Sequence, residues 1–162
     1  MVQNSDEEKT MLFLIIKWIH ILAAITAVGA NITYGIWIAR AAREPKVLPF
    51  VLRNIKLIDD RVANPCYGLL LLTGLAMAFL APIPLKTPWL LTGLTLYVIA
   101  GLMGAFGYTP VIKEQIRVLD KEGFDSPNYR AISKRGRLLG ILVGIDVIII
   151  VFLMVVKPPL WG

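Results

Sequence analysis

The chain has 162 residues and a formal net charge of +6. Its mean hydropathy is +0.70, and 57% of its residues are hydrophobic. Soluble domains carry fewer apolar residues, ~45–50%, so the composition disfavours a soluble enzyme and indicates a membrane protein. Apart from Lys17 and Asp146, formal charge is absent from four windows, which are 12–37, 64–82, 89–109 and 138–156. Each window approaches or exceeds the ~20 residues that a helix needs to cross a bilayer.

These windows predict an all-α fold, an integral membrane four-helix bundle. We interpret residues 1–162 as a single transmembrane domain. The N-terminal segment MVQNSDEEKT is acidic, and the apolar run after it is too long for a signal peptide. We therefore expect the first span to remain in the protein. The lone cysteine, Cys66, excludes a disulfide within the chain and is interpreted as a small buried hydrophobe.

The distribution of basic residues predicts the orientation. Connections 38–63 and 110–137 hold thirteen of the 17 Lys and Arg residues, and the outer turn, the two ends and the beginning of the first span hold the other four. Because Lys and Arg concentrate on the cytoplasmic side of membrane proteins, we expect both connections in the cytoplasm and both termini outside. The expected location is the bacterial plasma (inner) membrane.

Both connections carry helical patterns. A stripe of aliphatic residues predicts an amphipathic helix over 47–62; its members are Val47, Val51, Ile55, Ile58 and Val62. This helix either lies on the membrane surface, where anionic lipid would favour its basic side, or prolongs the second span into the cytoplasm. Asn64-Pro65 marks a break or a helix start, and Pro110 predicts a kink before a helix over 111–122. Ser126-Pro127 is typical of an N-cap followed by a first-turn proline, so the last helix is expected from there to Val156.

Small residues line several predicted helix faces, which indicates close helix contact. In the first span they alternate with polar residues on the stripe His20, Ala24, Ala27, Asn31 and Tyr34. The third span carries Gly93, Tyr97, Gly101, Gly104 and Tyr108 on one broad face, and the fourth carries the ladder Gly136, Gly140 and Gly144.

Four polar residues are predicted to share one depth in the outer half of the bundle. His20, Thr73, Tyr97 and Asp146 each lie seven to ten residues from the outer end of their span, which is roughly 10–15 Å. An ionised Asp inside a membrane costs ~2.5–3.5 kcal/mol on insertion scales, so Asp146 should face the interior, be paired or be protonated. His20 and Lys17 are its candidate partners.

His20 is the only histidine, and we interpret it as a haem or metal ligand or as a member of a proton relay. The alternative is a hydrogen-bonded packing histidine. One histidine excludes bis-His haem within one chain, so Met77 and Met103 are candidates for a second axial ligand. A tetrahedral zinc site is not expected, because Cys66 is predicted near the opposite face. No phosphate loop, serine triad or HExxH motif is present.

The first span resembles a known group of membrane proteins at Trp18, then His20-Ile21-Leu22-Ala23, then Gly29. This is similar to bacterial four-helix proteins that include the copper-resistance D-type proteins, the HemJ-type protoporphyrinogen oxidases and related uncharacterised integral membrane proteins. The resemblance implies b-type haem with His20 as an axial ligand. HemJ-type enzymes also use a lysine in a later span. The third span has no lysine here, so porphyrinogen oxidation is not expected. The outer turn PIPLKTP has no Met, His or Cys, which disfavours copper handling.

Three functions fit these features, and the sequence leaves open whether the protein is an enzyme. The first is a small haem- or metal-binding redox protein centred on His20. The second is a non-enzymatic accessory or assembly subunit of a larger membrane complex, and the third is a proton or ion transporter that uses Asp146 and His20. The expected partners are the lipid bilayer and either a second copy of the chain or a larger membrane complex. No nucleic-acid partner is expected, because topology explains the basic residues.

Overall fold

The computed structural model describes the backbone of residues 2–161 and the side chains of residues 7–161. Every regular element in that part is helical. The elements are α1 (Val2–Ala41), α2 (Leu48–Ile58), a first π-helical segment (Asp59–Ala63), α3 (Asn64–Leu80), α4 (Pro88–Leu102), a second π-helical segment (Met103–Tyr108), α5 (Thr109–Glu122) and α6 (Pro127–Val156). Four continuous helical stretches are long and apolar enough to cross a membrane. The predicted all-α, four-span architecture is therefore confirmed.

The two π-helical segments join the basic connections to the spans without a break. We call the end of the bundle that holds these connections the cytoplasmic end, after the orientation predicted from Lys and Arg. The first ends two residues before Pro65 and the second two residues before Pro110. A proline ring would collide with the carbonyl one turn earlier in a regular α-helix, and proline has no N–H to donate to it. The wider π turn accommodates both effects. Of the two alternatives predicted at Asn64-Pro65, the helix start agrees with the structure, since α3 begins at Asn64, and the break does not form. At Pro110 the helix continues through a π turn.

The connection after α1 extends the second span. Leu48–Leu80 forms one helical stretch of 33 residues, about 50 Å at ~1.5 Å per residue, against a hydrocarbon core of ~30 Å. The predicted stripe on this helix is displaced by about one residue. Leu48, Leu52 and Ile55 are buried, whereas Val47, Ile58 and Val62 are exposed. The reason is that α2 packs against α5 as well as α1, which selects a different face.

The spans form two antiparallel pairs. Helix α1 packs along α3, α4 packs along α6, and a smaller contact between α1 and α6 joins the pairs. In the described chain, no Cα of α3 lies within 8 Å of a Cα of α4, although packed helices usually have axes only ~8–10 Å apart. Side chains therefore bridge the space between α3 and α4.

The cytoplasmic ends build a compact apolar base. Its buried residues come from the end of α1, from α2, from α5 and from the start of α6; they are Ala41, Leu48, Leu52, Val118, Leu119 and Tyr129. Arg53 on α2 also donates to both carboxylate oxygens of Asp120 on α5, at 2.8 Å each. Both side chains are largely exposed, and such pairs contribute only ~0–1 kcal/mol. Apolar burial therefore provides most of the stability of the base.

Helix α6 is delimited as its sequence predicts. Ser126 caps its start by accepting a hydrogen bond from the backbone N–H of Tyr129 at 3.0 Å, and Pro127 occupies the first turn. At the outer end Lys157 takes a left-handed conformation, with φ of 50°. Its ammonium group lies 5.1 Å from the centre of the Trp89 ring, a cation–π contact. This contact ties the outer ends of α4 and α6 together.

The glycines of the predicted ladder differ in how closely they are packed. Gly136 is buried, and a Cβ atom there would lie 2.6 Å from Nε2 of Gln115 and 3.2 Å from Cγ1 of Val111. A Cβ atom at Gly144 would meet nothing within 4 Å. Close backbone approach is therefore needed at Gly136, where α5 crosses α6, and not at Gly144.

Gly136→Ala is expected to be less stable than Gly144→Ala, because its new methyl group must displace the amide end of buried Gln115 and press on Val111. Gly144→Ala is the matched control. It should leave stability unchanged or raise it slightly, since alanine favours helix by ~1 kcal/mol over glycine. Thermal unfolding of both variants in one detergent measures the difference. Equal shifts of the midpoint in the two variants would contradict this packing.

The orientation predicted from Lys and Arg can be measured with single cysteines in a Cys66→Ala background. Lys86→Cys lies in the turn between α3 and α4, and Lys121→Cys lies at the end of α5. Because the basic connections should be cytoplasmic, a membrane-impermeant maleimide should label Lys86→Cys in intact cells. It should label Lys121→Cys only after permeabilisation. The reverse pattern would show that the bundle is inverted.

Candidate functional site

His20 lies at the interface between α1 and α3. Its Nδ1 atom is 2.8 Å from the hydroxyl oxygen of Thr73. The next residue on α3 is Gly74, where a Cβ atom would lie 3.3 Å from Cε1 of the imidazole. The ring is half-buried and Thr73 is buried. Thr73 and Gly74 therefore hold the imidazole from one side, the threonine by a hydrogen bond and the glycine by close packing.

The hydrogen bonds around Thr73 select one tautomer of His20. The Thr73 hydroxyl donates its single proton to the carbonyl of Leu69 at 2.6 Å. With that proton committed to Leu69, the hydroxyl can only accept from the imidazole, which favours the neutral tautomer with its proton on Nδ1. The Leu70 backbone is a further hydrogen-bonding neighbour of the ring. Nε2 then carries the lone pair, which is the form that binds a metal.

A second polar group lies deeper towards the cytoplasm. Asn31 on α1 donates to the hydroxyl of Tyr67 on α3, and Tyr97 on α4 donates its hydroxyl proton to the backbone carbonyl of Tyr67. The Tyr97 bond crosses the space between the helix pairs. Tyr67 lies six residues before Thr73, about 9 Å along the helix. Tyr97 therefore hydrogen-bonds to Tyr67, which lies about two turns of α3 below the level of His20 and Thr73.

The structure brings His20 and Thr73 of the predicted polar layer into contact. Asp146 is half-buried on α6, and its Oδ2 atom is buried without a hydrogen-bond partner. Lys17 is exposed on α1. Neither residue forms a salt bridge within residues 7–161. An ion pair between Asp146 and either predicted partner is thus not formed in this conformation.

The candidate methionine ligands lie at different levels. Met77 is half-buried on α3 and lies four residues after Thr73, so both share one face of that helix. Met103 is half-buried at the start of the second π-helical segment. Among the described side chains, no group of three or more His, Cys, Asp and Glu residues could hold a metal ion. A centre built on His20 would therefore need a ligand that arrives with its own coordination, as a porphyrin does.

Sequence reasoning overlooked a third polar cluster at the cytoplasmic end of the bundle. Asp59 is 6% exposed and Tyr34 is 4% exposed, and Tyr34 packs in one buried cluster with Ile55, one turn before Asp59. The signal for Asp59 was present in the sequence, because it follows Leu48, Leu52 and Ile55 at spacings of four, three and four residues. Asp59 could therefore have been identified from the sequence as an acidic residue on the buried stripe of an amphipathic helix.

Residues 14–158 match a family described as predicted integral membrane protein (DUF2269). The match covers most of the chain, which therefore belongs to this family. A comparison with curated proteins finds no match, and neither does a comparison with solved structures. Membership establishes a multi-pass integral membrane protein and carries no assignment to the copper-resistance D-type or HemJ-type proteins.

Removing the Thr73 hydroxyl should change the tautomer of His20. With a single histidine in the chain, ¹⁵N-histidine labelling yields one pair of ring nitrogen signals. Wild type and Thr73→Ser should show the proton on Nδ1, because both hydroxyls can accept from it. Thr73→Val should show a mixture or a shift to Nε2–H. Identical ring signals in wild type and Thr73→Val would contradict the role of Thr73.

Proposed function

We propose that this membrane protein binds a haem through Nε2 of His20 and acts as a small redox protein of the bilayer. The observation that supports the proposal is the paired hydrogen bond of Thr73, which gives its proton to Leu69 and accepts from Nδ1 of His20. Histidines that bind metals through one nitrogen usually donate the other N–H to a fixed acceptor. His20 has that acceptor within its own bundle.

The surroundings of His20 also suit a flat apolar cofactor. No Cα of α4 lies within 8 Å of a Cα of α1 or α3 in the described helices, so the backbone beside the His20–Thr73 interface is not closely packed by α4. The bundle offers apolar side chains and Met77, a candidate thioether ligand, on the face of α3 that carries Thr73. When bound, haem supplies one-electron chemistry, and its ligands set the potential.

Thr73 is a positioning residue in this proposal. Its hydrogen bond fixes the imidazole ring and keeps the lone pair on Nε2. It also raises the basicity of that nitrogen, because an N–H that donates strongly makes the ring a better ligand. Gly74 contributes by allowing the ring to lie flush against α3.

The test is an absorption spectrum of the full-length protein in mild detergent, oxidised and reduced, after expression with a haem precursor and after titration with haemin. Wild type and Thr73→Ser should show a Soret band and a redox-dependent band pattern. His20→Ala should lose them while keeping its helical circular dichroism. Met77→Leu separates the ligand sets: a changed spectrum with retained haem identifies Met77 as the second axial ligand.

Two results would overturn the proposal. One is a folded wild-type protein that takes up no haem in either preparation. The other is a haem spectrum that His20→Ala leaves unchanged.

A second function, proton or ion translocation through Asp146, is favoured by the buried and unpartnered Oδ2 atom of that residue. A buried carboxylate oxygen without a partner is costly, and in membrane proteins it commonly marks an ion or proton path. A protein that binds no haem but shows liposome proton flux, lost in Asp146→Asn, would favour this function instead.

A further inference from the structure

Asp59 occupies an unusual position at the cytoplasmic end of the bundle. It is the first residue of the first π-helical segment and is only 6% exposed. The nearest ammonium group, that of Lys56, forms its ion pair with the neighbouring Asp60. No salt bridge within residues 7–161 involves Asp59. A carboxylate buried without a counter-ion is among the least favourable states of a side chain.

Three of the groups around Asp59 are phenols. Tyr34 on α1 packs in one buried cluster with Ile55, one turn before Asp59, and Tyr108 of the second π-helical segment packs against that cluster; α3 contributes Tyr67. The other neighbours are the side chain of Asn64, a hydrogen-bond donor that favours the charged carboxylate, the carboxylate of Asp60 and the ammonium of Lys56. Cys66 also lies near Tyr67. None of these groups neutralises Asp59 by a direct ion pair.

Tyr34 provides the independent observation. Its side chain is 4% exposed, and its hydroxyl is buried without a hydrogen-bond partner. Buried hydroxyl groups nearly always have a partner in native proteins. A protonated carboxyl can donate a hydrogen bond, and a phenol can accept one. A proton on Asp59 therefore removes the buried charge and supplies a donor that can reach the oxygen of Tyr34 through one water molecule.

We propose that Asp59 is a proton-binding site at the cytoplasmic mouth of the bundle, with the hydroxyl of Tyr34 as the partner of the neutral carboxyl. A hydronium ion delivers the proton, the carboxylate becomes a carboxylic acid, and one water molecule is released. The adjacent Asp60 and Arg61 are exposed charged residues, which gives a proton a short route from solution to the site. This inference is independent of whether His20 binds haem.

Infrared difference spectroscopy of the full-length protein in nanodiscs tests the site, because a carboxylic acid has a C=O stretching band that a carboxylate lacks. At pH 7 the difference between wild type and Asp59→Asn should contain this band, and the band should move in D₂O and vanish at alkaline pH. Asp60→Asn is the matched control, being the neighbouring, exposed carboxylate, and should remove no such band. Asp146→Asn assigns any second carboxylic acid.

Tyr34→Phe keeps the test decisive if Asp59→Asn fails to fold. Loss of the phenol should leave the acid band present and move it to higher wavenumber, since a hydrogen bond to the carboxyl has been lost. The proposal is overturned if Asp59→Asn removes only carboxylate bands, or if Tyr34→Phe leaves the spectrum unchanged. It is also overturned if replacing sodium and potassium by choline creates the acid band, because Asp59 would then hold a metal cation.

Discussion

A hydrocarbon layer offers no partner to a backbone N–H or C=O, so a chain that crosses it must satisfy these groups within its own helices. The arrangement of this protein follows from that constraint. Two prolines, Pro65 and Pro110, lie where cytoplasmic helices enter the spans. A break there would leave unpaired backbone groups near the membrane. The chain widens into a π turn at each place and remains helical for 33 and 35 residues.

The polar side chains of the spans obey the same rule, and the exceptions are informative. Thr26, Thr92 and Thr95 each donate to the carbonyl four residues earlier, which satisfies their hydroxyl protons without any other helix. Thr73 makes the same bond and also accepts from His20. The Thr73 hydroxyl therefore satisfies its own proton within α3 and at the same time connects α3 to α1 through His20. Tyr34 and Asp146 retain buried polar atoms without a partner, and such atoms are where a ligand, a proton or a neighbouring molecule has most to offer.

Much of the fold could be predicted from the sequence because membrane spans are specified by composition over about 20 residues, a signal that survives local exceptions. The start of α6 was equally predictable, since Ser126 and Pro127 form a local cap that needs no tertiary contact. The buried face of α2 was not, because Val51 and Leu52 are equally apolar and the choice between their faces depends on α5. The prolines suggested breaks, and the π turns that absorb them depend on how the two helices continue.

The candidate site could be predicted only in part, for a related reason. Depth along a helix can be counted from the sequence, so the similar depth of His20 and Thr73 was predicted from their distances to the outer boundary, whereas their contact was not. Rotation about the helix axis and the separation of the pairs cannot be counted in the same way. Tyr97 therefore reaches Tyr67, one layer below the predicted one, and Asp146 faces no described partner. Asp59 was overlooked because the predicted stripe continued from Ile55 through Ile58 and Val62 and did not include it.

The two π-helical segments also affect how this chain can vary. Each holds extra backbone within a helix, and each added residue turns the following side chains by about 100° in an α-helical frame. A π-helical segment can compensate for this rotation. The side chains of the cytoplasmic base then keep their positions when the register of the membrane part changes, and the reverse also holds. Length changes of one residue at 59–63 or 103–108 can then be accommodated by converting a π turn to an α turn, or the reverse. The base and the membrane part can thus acquire substitutions, insertions and deletions with substantial independence, although they are built from the same four helices.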